Sequence, residues 1–305
     1  MEDYNKIIDS LNIKYARCRN VKILKPFRMD NVRDVENTLI LVNKGALRLD
    51  LQDDIVQAGE MIFIPAKSYV TLTYGVLAKP VTLSYEQFLN NTEECYEINK
   101  QDPVQSIENE NFTYLTFDAK IFDSVNFFGN LDISSFKIRD EKIAFYLNAL
   151  FQEELIPQEG KDRTTKLLCD AITIEIIRYI LKKRLFVEQL ATNSTYFKDP
   201  RLINIFSYIR EHIGDDLSNK KLSEVAEVSE DYVGQYFKML TGINPQDYIE
   251  YQRMEFAVNL LRTSKKSIKE IGNEIGYKDT AYFCRRFKMM FGIPAGKMRR
   301  REVKS

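Results

Sequence analysis

The chain has 305 residues, 44% of them hydrophobic, enough for two compact domains with ordinary cores. Its 44 Lys plus Arg balance 44 Asp plus Glu, but from Thr195 onward there are 20 basic against 15 acidic residues, and before it 24 against 29. No apolar run approaches the roughly 18 residues that cross a bilayer, and the N-terminal MEDYNKIIDS lacks the basic-then-apolar pattern of an export signal, so a cytoplasmic protein with no membrane partner is expected.

The composition also narrows the chemistry. His212 is the only histidine, which leaves almost no raw material for a Ser-His-Asp site or a metal held by several imidazoles. Cys18, Cys95, Cys169 and Cys284 show no C-x-x-C spacing, so neither a disulfide framework nor a zinc site is expected. The sequence calls for no cofactor.

The first third reads as β-structure. Short runs of branched and aromatic residues lie at 38–42, 47–51, 61–64, 69–74 and 81–85, punctuated by Gly45, Gly59 and Pro65. Leu47, Leu49 and Leu51 alternate with Arg48 and Asp50, which turns one face inward. Many short strands with regular turn signals predict a sandwich or small barrel over about 15–120.

Helical periods follow over about 140–187. Residues 140–155 carry Ile143, Leu147, Leu150 and Phe151 on one side, and 161–185 carries two apolar stripes. One runs through Leu168, Ile172, Ile176 and Ile180, the other through Leu167, Ala171, Ile174 and Leu181. The second stripe either meets a partner subunit, making the chain a homodimer, or is buried between two layers of its own fold. The polar LATNSTYFKDP, 190–200, marks a linker at 191–200 between a domain over 1–190 and one over 201–305.

The last third contains one unit twice. Val233, Phe237, Lys238, Gly242 and Ile243 recur as Phe283, Phe287, Lys288, Gly292 and Ile293, fifty positions on. Leu222, Ala226 and Val228 recur as Ile271, Ile275 and Tyr277 at a spacing of forty-nine. Each copy reads as a short helix, a turn and a second helix, the arrangement that offers its second helix to the DNA major groove. In the first copy Ser229 is expected to cap the reading helix; with Val233 and Phe237 inward, Asp231, Gln235 and Lys238 face outward. In the second copy Ser267 and Glu270 predict a capping box and Asp279 a cap. Thr280 then opens the reading helix, and Ala281, Arg285 and Lys288 face outward. Arg285 has the reach for guanine O6 and N7 together, while Arg286 on the flank and Arg299 in the basic C-terminus suit phosphates. Asn244 and Pro245 predict a helix to about Arg262 that spaces the two copies.

Residues 253–299, RMEFAVNLLRTSKKSIKEIGNEIGYKDTAYFCRRFKMMFGIPAGKMR, resemble the signature region of the AraC family of bacterial transcription regulators. The matching elements are Ala257 with Leu260 and Leu261, Ile268 with Ile271, the Gly276-Tyr277 turn, Phe283, Phe287 and the close at Phe291-Gly292-Ile293-Pro294. Upstream, GEMIFIPAKS at 59–68 is similar to part of the cupin-like effector domain that many members carry. The resemblance implies an α+β chain: a cupin-like β-barrel with flanking helices, then an all-α domain of two helix-turn-helix units joined by a long helix. It further implies a regulator, often an activator, that binds double-stranded promoter DNA, works with RNA polymerase, dimerises beside the barrel and answers to a small-molecule effector or a partner protein at the barrel. Two other classes compete: a DNA-binding protein whose barrel only dimerises or docks, and a cupin enzyme, which the lack of histidines in the barrel disfavours. Three departures stand out: Gly234 inside the first reading helix, Asp231 on its outward face, and Met298 where an aromatic is usual, which predicts a looser final packing contact.

Overall fold

The computed structural model describes residues 4–49, 54–75, 79–90, 92–100, 109–121, 125–131, 133–156, 158–186, 199–241 and 243–303. It divides into two compact units, Leu11–Lys120 with Asn126–Val187, and Glu188–Ser305 with Met1–Ser10 and Ile121–Val125. Of the linker expected at 191–200, only residues 199 and 200 lie among the described residues.

After helix α1 (Tyr4–Asp9) come strands β1 (Leu11–Ile23), β2 (Phe27–Arg33), β3 (Asn37–Lys44), β4 (Ala46–Leu49), β5 (Asp54–Gln57), β6 (Met61–Ile64), β7 (Tyr69–Tyr74) and β8 (Val81–Leu83). Short helices α2 (Tyr85–Asn90) and α3 (Thr92–Cys95) lead to β9 (Tyr96–Asn99), β10 (Asn111–Ile121), β11 (Val125–Asn126), α4 (Phe127–Asn130) and β12 (Phe136–Ile138). One sheet has the order β12-β6-β3-β10-β1-β9, the other β5-β4-β7-β2-β8. The expected barrel is therefore two sheets, not a closed cylinder. Gly45, at φ +94°, lets the chain leave β3 in one sheet and enter β4 in the other; a Cβ there would run into the Glu110 side chain.

Register explains why the core lies between the sheets. β3 pairs antiparallel with β6, Leu39 opposite Phe63 and Leu41 opposite Met61, and all four are fully buried or nearly so. Phe63 meets Phe128 edge-on at 4.7 Å, and in a second cluster Tyr74 stacks on Phe27 and meets Phe112 edge-on. The sheets are also joined by a hydrogen bond of 2.7 Å from the Tyr114 hydroxyl to that of Tyr74, which satisfies two groups that burial would otherwise penalise.

Helices α5 (Glu141–Leu155) and α6 (Lys161–Lys182) close this unit. Asp140 caps α5 by accepting from the amides of Lys142 and Ile143, and Ile143, Leu147, Leu150 and Phe151 are buried. On α6 the stripe through Ile172, Ile176 and Ile180 is buried. The second stripe is not sandwiched between layers: Leu167 is 53% exposed, and Ala171, Ile174 and Leu181 are half-buried.

The other unit is helical: α7 (Pro200–Glu211), α8 (Asn219–Ala226), α9 (Glu230–Thr241), α10 (Pro245–Thr263), α11 (Ile268–Glu274), α12 (Thr280–Phe291) and α13 (Ala295–Val303). Among the described residues no helix is long and apolar enough to cross a membrane, no group of three or more His, Cys, Asp or Glu gathers as metal ligands, and all four cysteines are free.

Candidate nucleic-acid interface

The duplicated sequence folds as a duplicated structure. In the first copy α8 is followed by α9, in the second α11 by α12, with the 19-residue α10 between them. At 1.5 Å per residue α10 is a rod about 28 Å long. Its start follows from Asn244, whose side chain accepts from the Gln246 amide, and from Pro245 at the first helical position. Ser267 and Glu270 form the expected capping box, and Asp279 caps α12 by accepting from the amides of Ala281 and Tyr282.

The first helix of each copy ends differently. Glu227 terminates α8 in the left-handed region at φ +53°, and its counterpart forty-nine residues on is Gly276, at φ +88°. Only the glycine adopts that conformation freely, and only the second copy needs the space. A Cβ on Gly276 would lie 2.8 Å from the Arg253 guanidinium and 3.0 Å from the Gly214 carbonyl.

Each second helix turns its aromatic or branched residues inward. Val233 and Phe237 on α9, and Phe283 and Phe287 on α12, are fully buried. At 100° per residue that fixes the outward faces. Asp231, Gln235 and Lys238 are exposed on α9, and Ala281, Arg285 and Lys288 on α12. Thr280, at the first position of α12, is half-buried beside that face. The Arg285 guanidinium lies 5.9 Å from the Tyr282 ring.

Two arginines stand otherwise than expected. Arg286 is held in a fork to Glu250 of α10, Nε to Oε1 and Nη2 to Oε2, both at 2.5 Å, and Glu250 also accepts from the Tyr277 hydroxyl at 3.4 Å. That pairing keeps the Arg286 pKa above its ordinary value. In this conformation the Arg286 guanidinium ties the reading helix to α10. Arg299 donates to the Lys266 carbonyl and so fastens α13 to the turn before α11.

One helical turn along α10, Arg253 does the matching work for the first copy. Its Nε donates to the Ile213 carbonyl at 3.0 Å and its Nη2 to the Asp215 carbonyl at 2.7 Å, while burial lowers its pKa. Glu250 and Arg253, three apart and hence on one side of α10, thus grip the second copy and the loop ahead of the first. Nothing in the sequence spacing marks these two charged residues as fasteners. Met298 is buried to 1% exposure like Tyr248, so the looser contact expected there is not found; the flexible thioether fills the space and takes a contact from Arg262 Nη2 at 3.9 Å.

Residues 222–301 match the sequence model of a helix-turn-helix domain. Over 100 residues the chain is 29% identical to the MmsAB operon regulatory protein of Pseudomonas aeruginosa, and there it spans a third of each protein, 33% of both lengths. It is 23% identical over 85% of both lengths to an uncharacterised helix-turn-helix-type transcriptional regulator of Haemophilus influenzae. Among solved structures, the unsaturated fatty acid-bound form of ToxT from Vibrio cholerae shares the fold over 95% of both chains, with a TM-score of 0.52 and 11% identity.

Proposed function

Because the chain belongs to the AraC family of helix-turn-helix regulators and is a DNA-binding transcription regulator, we propose that it activates transcription by reading promoter DNA with α9 and α12 together. The observation that carries this reading is the pair of outward faces, Asp231-Gln235-Lys238 and Ala281-Arg285-Lys288, which surround no core and repeat at the interval of the duplicated fold. Arg285 is the base-reading residue, Lys238 and Lys288 meet phosphates, and Thr280 sits where the helix N-terminus favours a phosphate. Arg286 and Arg299 position the helices, and any phosphate contact they make comes through that positioning. RNA polymerase is the expected protein partner of an activator.

The sheet-rich unit is the regulatory part of this proposal. A small-molecule effector there is supported by the shared fold with ToxT, which was solved with an unsaturated fatty acid bound. The homodimer is supported by the incompletely covered stripe Leu167, Ala171, Ile174 and Leu181 on α6. A unit that only dimerises or docks, without an effector, is the second reading, favoured by that same stripe. The decisive experiment measures binding of the full chain to the DNA upstream of its own gene as salt is raised from about 50 to 200 mM, over which several phosphate contacts lose orders of magnitude in affinity. Absence of salt-sensitive binding to that DNA and to unrelated duplexes alike would overturn the assignment.

A further inference from the structure

Four identities between the two reading helices are written in the sequence: Tyr232, Phe237, Lys238 and Met239 recur as Tyr282, Phe287, Lys288 and Met289. The phenylalanines recur because both cores need them; both are fully buried. Packing accounts for the rest of the apolar set only in part: Tyr232 and Tyr282 each meet one neighbouring ring, Tyr236 and Tyr277, both at 5.9 Å, and still stay exposed. Tyr232 and Met239 are 41% and 59% exposed, Tyr282 and Met289 47% and 63%. Single exposed apolar residues are ordinary, but an aligned pair kept in both copies is not.

The pair forms a stripe. Seven residues bring a helix to within about 20° of two full turns, so each Tyr lies in line with its Met. The same count sets the stripe about 90° round from the middle of the reading trio, on the side opposite neither core nor groove but between them. Next to each Met stands the exposed Lys238 or Lys288. Whatever covers these stripes must therefore present the same surface twice, in the same relation to two reading helices. Duplex DNA does so, because the wall of its major groove repeats with every turn. A protein partner would need a duplicated surface of its own.

We propose that the Tyr232-Met239 and Tyr282-Met289 stripes dock the sugar-phosphate wall of the groove, each hydroxyl donating to a phosphate oxygen and each thioether packing on the neighbouring deoxyribose. This rests on the DNA-reading assignment above and adds a neutral component to it. A neutral donor displaces no condensed cation, so the stripes strengthen binding without contributing to its salt dependence. The backbone is the same for every sequence, so they carry no base preference.

The test uses the full chain, a fluorescent duplex from upstream of its own gene, and a scrambled duplex of equal composition. Two double variants are compared with the parent across a salt series: Tyr232→Phe with Tyr282→Phe, and Met239→Ser with Met289→Ser. The first removes only hydroxyls and leaves the ring beside Arg285 in place. Each double variant should bind both duplexes roughly three- to tenfold more weakly, with an unchanged slope of affinity against salt. Unchanged affinity in the Phe double variant would overturn the proposal, as would a changed slope or an altered ratio between the two duplexes. If the parent itself shows no salt-sensitive binding, the DNA-reading assignment fails first, which separates the two failures.

Discussion

Two glycines of the helical unit should respond to the same substitution with opposite sign. Gly234 lies inside α9, where a Cβ would meet only the Asn219 amide nitrogen at 3.6 Å, an ordinary contact. Gly234→Ala therefore gains the helix advantage of alanine, about 1 kcal/mol, with nothing to offset it. Gly214 is different: a Cβ there would lie 2.5 Å from the Glu274 carbonyl oxygen, well inside van der Waals contact, and that oxygen belongs to a backbone held at the end of α11. Gly214→Ala has to displace the loop or the second copy, at a cost of about 1 to 3 kcal/mol. For a unit of this size each kcal/mol moves the melting temperature by about 4 to 8 °C. Scanning calorimetry of the full chain should show the transition of the helical unit raised in one variant and lowered in the other, the sheet-rich unit unaffected. A lowered transition in Gly234→Ala, or an unmoved one in Gly214→Ala, would refute the close approach on which the argument stands.

Further outcomes follow from the same geometry. Arg285→Ala should cost about 1 to 3 kcal/mol of DNA binding and relax base preference in one half of the site, while Lys288→Ala weakens all sequences alike and lowers the salt slope by about one; competition with single-base variants separates the two. A parent-like base preference in Arg285→Ala would move the readout to Gln235 or to DNA shape. Ile174→Glu with Leu181→Glu should give a folded monomer in sedimentation, and a parent that is already monomeric at micromolar concentration removes the dimer from the proposal. Glu250→Ala strands the Arg286 guanidinium; since both side chains are partly exposed, at 22% and 31%, the stability loss should be modest, about 1 kcal/mol. Binding to DNA should fall further than that as α12 loosens from α10, and a variant that binds like the parent would show that Glu250 has no positioning role.

What could be read from the sequence, and what could not, divides by range of interaction. The capping box at Ser267, the caps at Asp279 and Asn244, and the inward set Val233, Phe237, Phe283 and Phe287 are local or periodic, and the structure has them where the pattern put them. Strands β6 and β7 were legible for the same reason, being short branched runs between turn residues. The 13-residue β1 and the 11-residue β10 were not, because buried Asn20, Asn111 and Thr113 interrupt their apolar alternation. Those polar groups satisfy one another across the strands, Asn20 donating to Asn111 at 3.2 Å and to Thr113 at 3.0 Å. Such a pairing of residues ninety apart leaves no trace in a local pattern. The Glu250-Arg286 fork is hidden likewise, thirty-six residues across the turn.

The first reading helix carries one residue that two demands pull in opposite directions. Asp231 stands in the first turn of α9, where the helix dipole favours a negative charge by about 0.3 to 1 kcal/mol. It is also exposed on the face proposed to meet DNA, and its counterpart in the second copy is the neutral Ala281. A unit charge about 5 Å from a phosphate in solvent opposes binding by about 1 kcal/mol, less as salt rises. Asp231→Asn keeps the shape of the side chain while removing the charge, so it should lower thermal stability slightly and strengthen DNA binding severalfold at low salt, the gain shrinking at high salt. Both signs are needed: stability down, affinity up. If affinity falls instead, Asp231 accepts a hydrogen bond from a base, as a carboxylate does from the cytosine amino group, and the first copy reads sequence through the residue that repels the backbone.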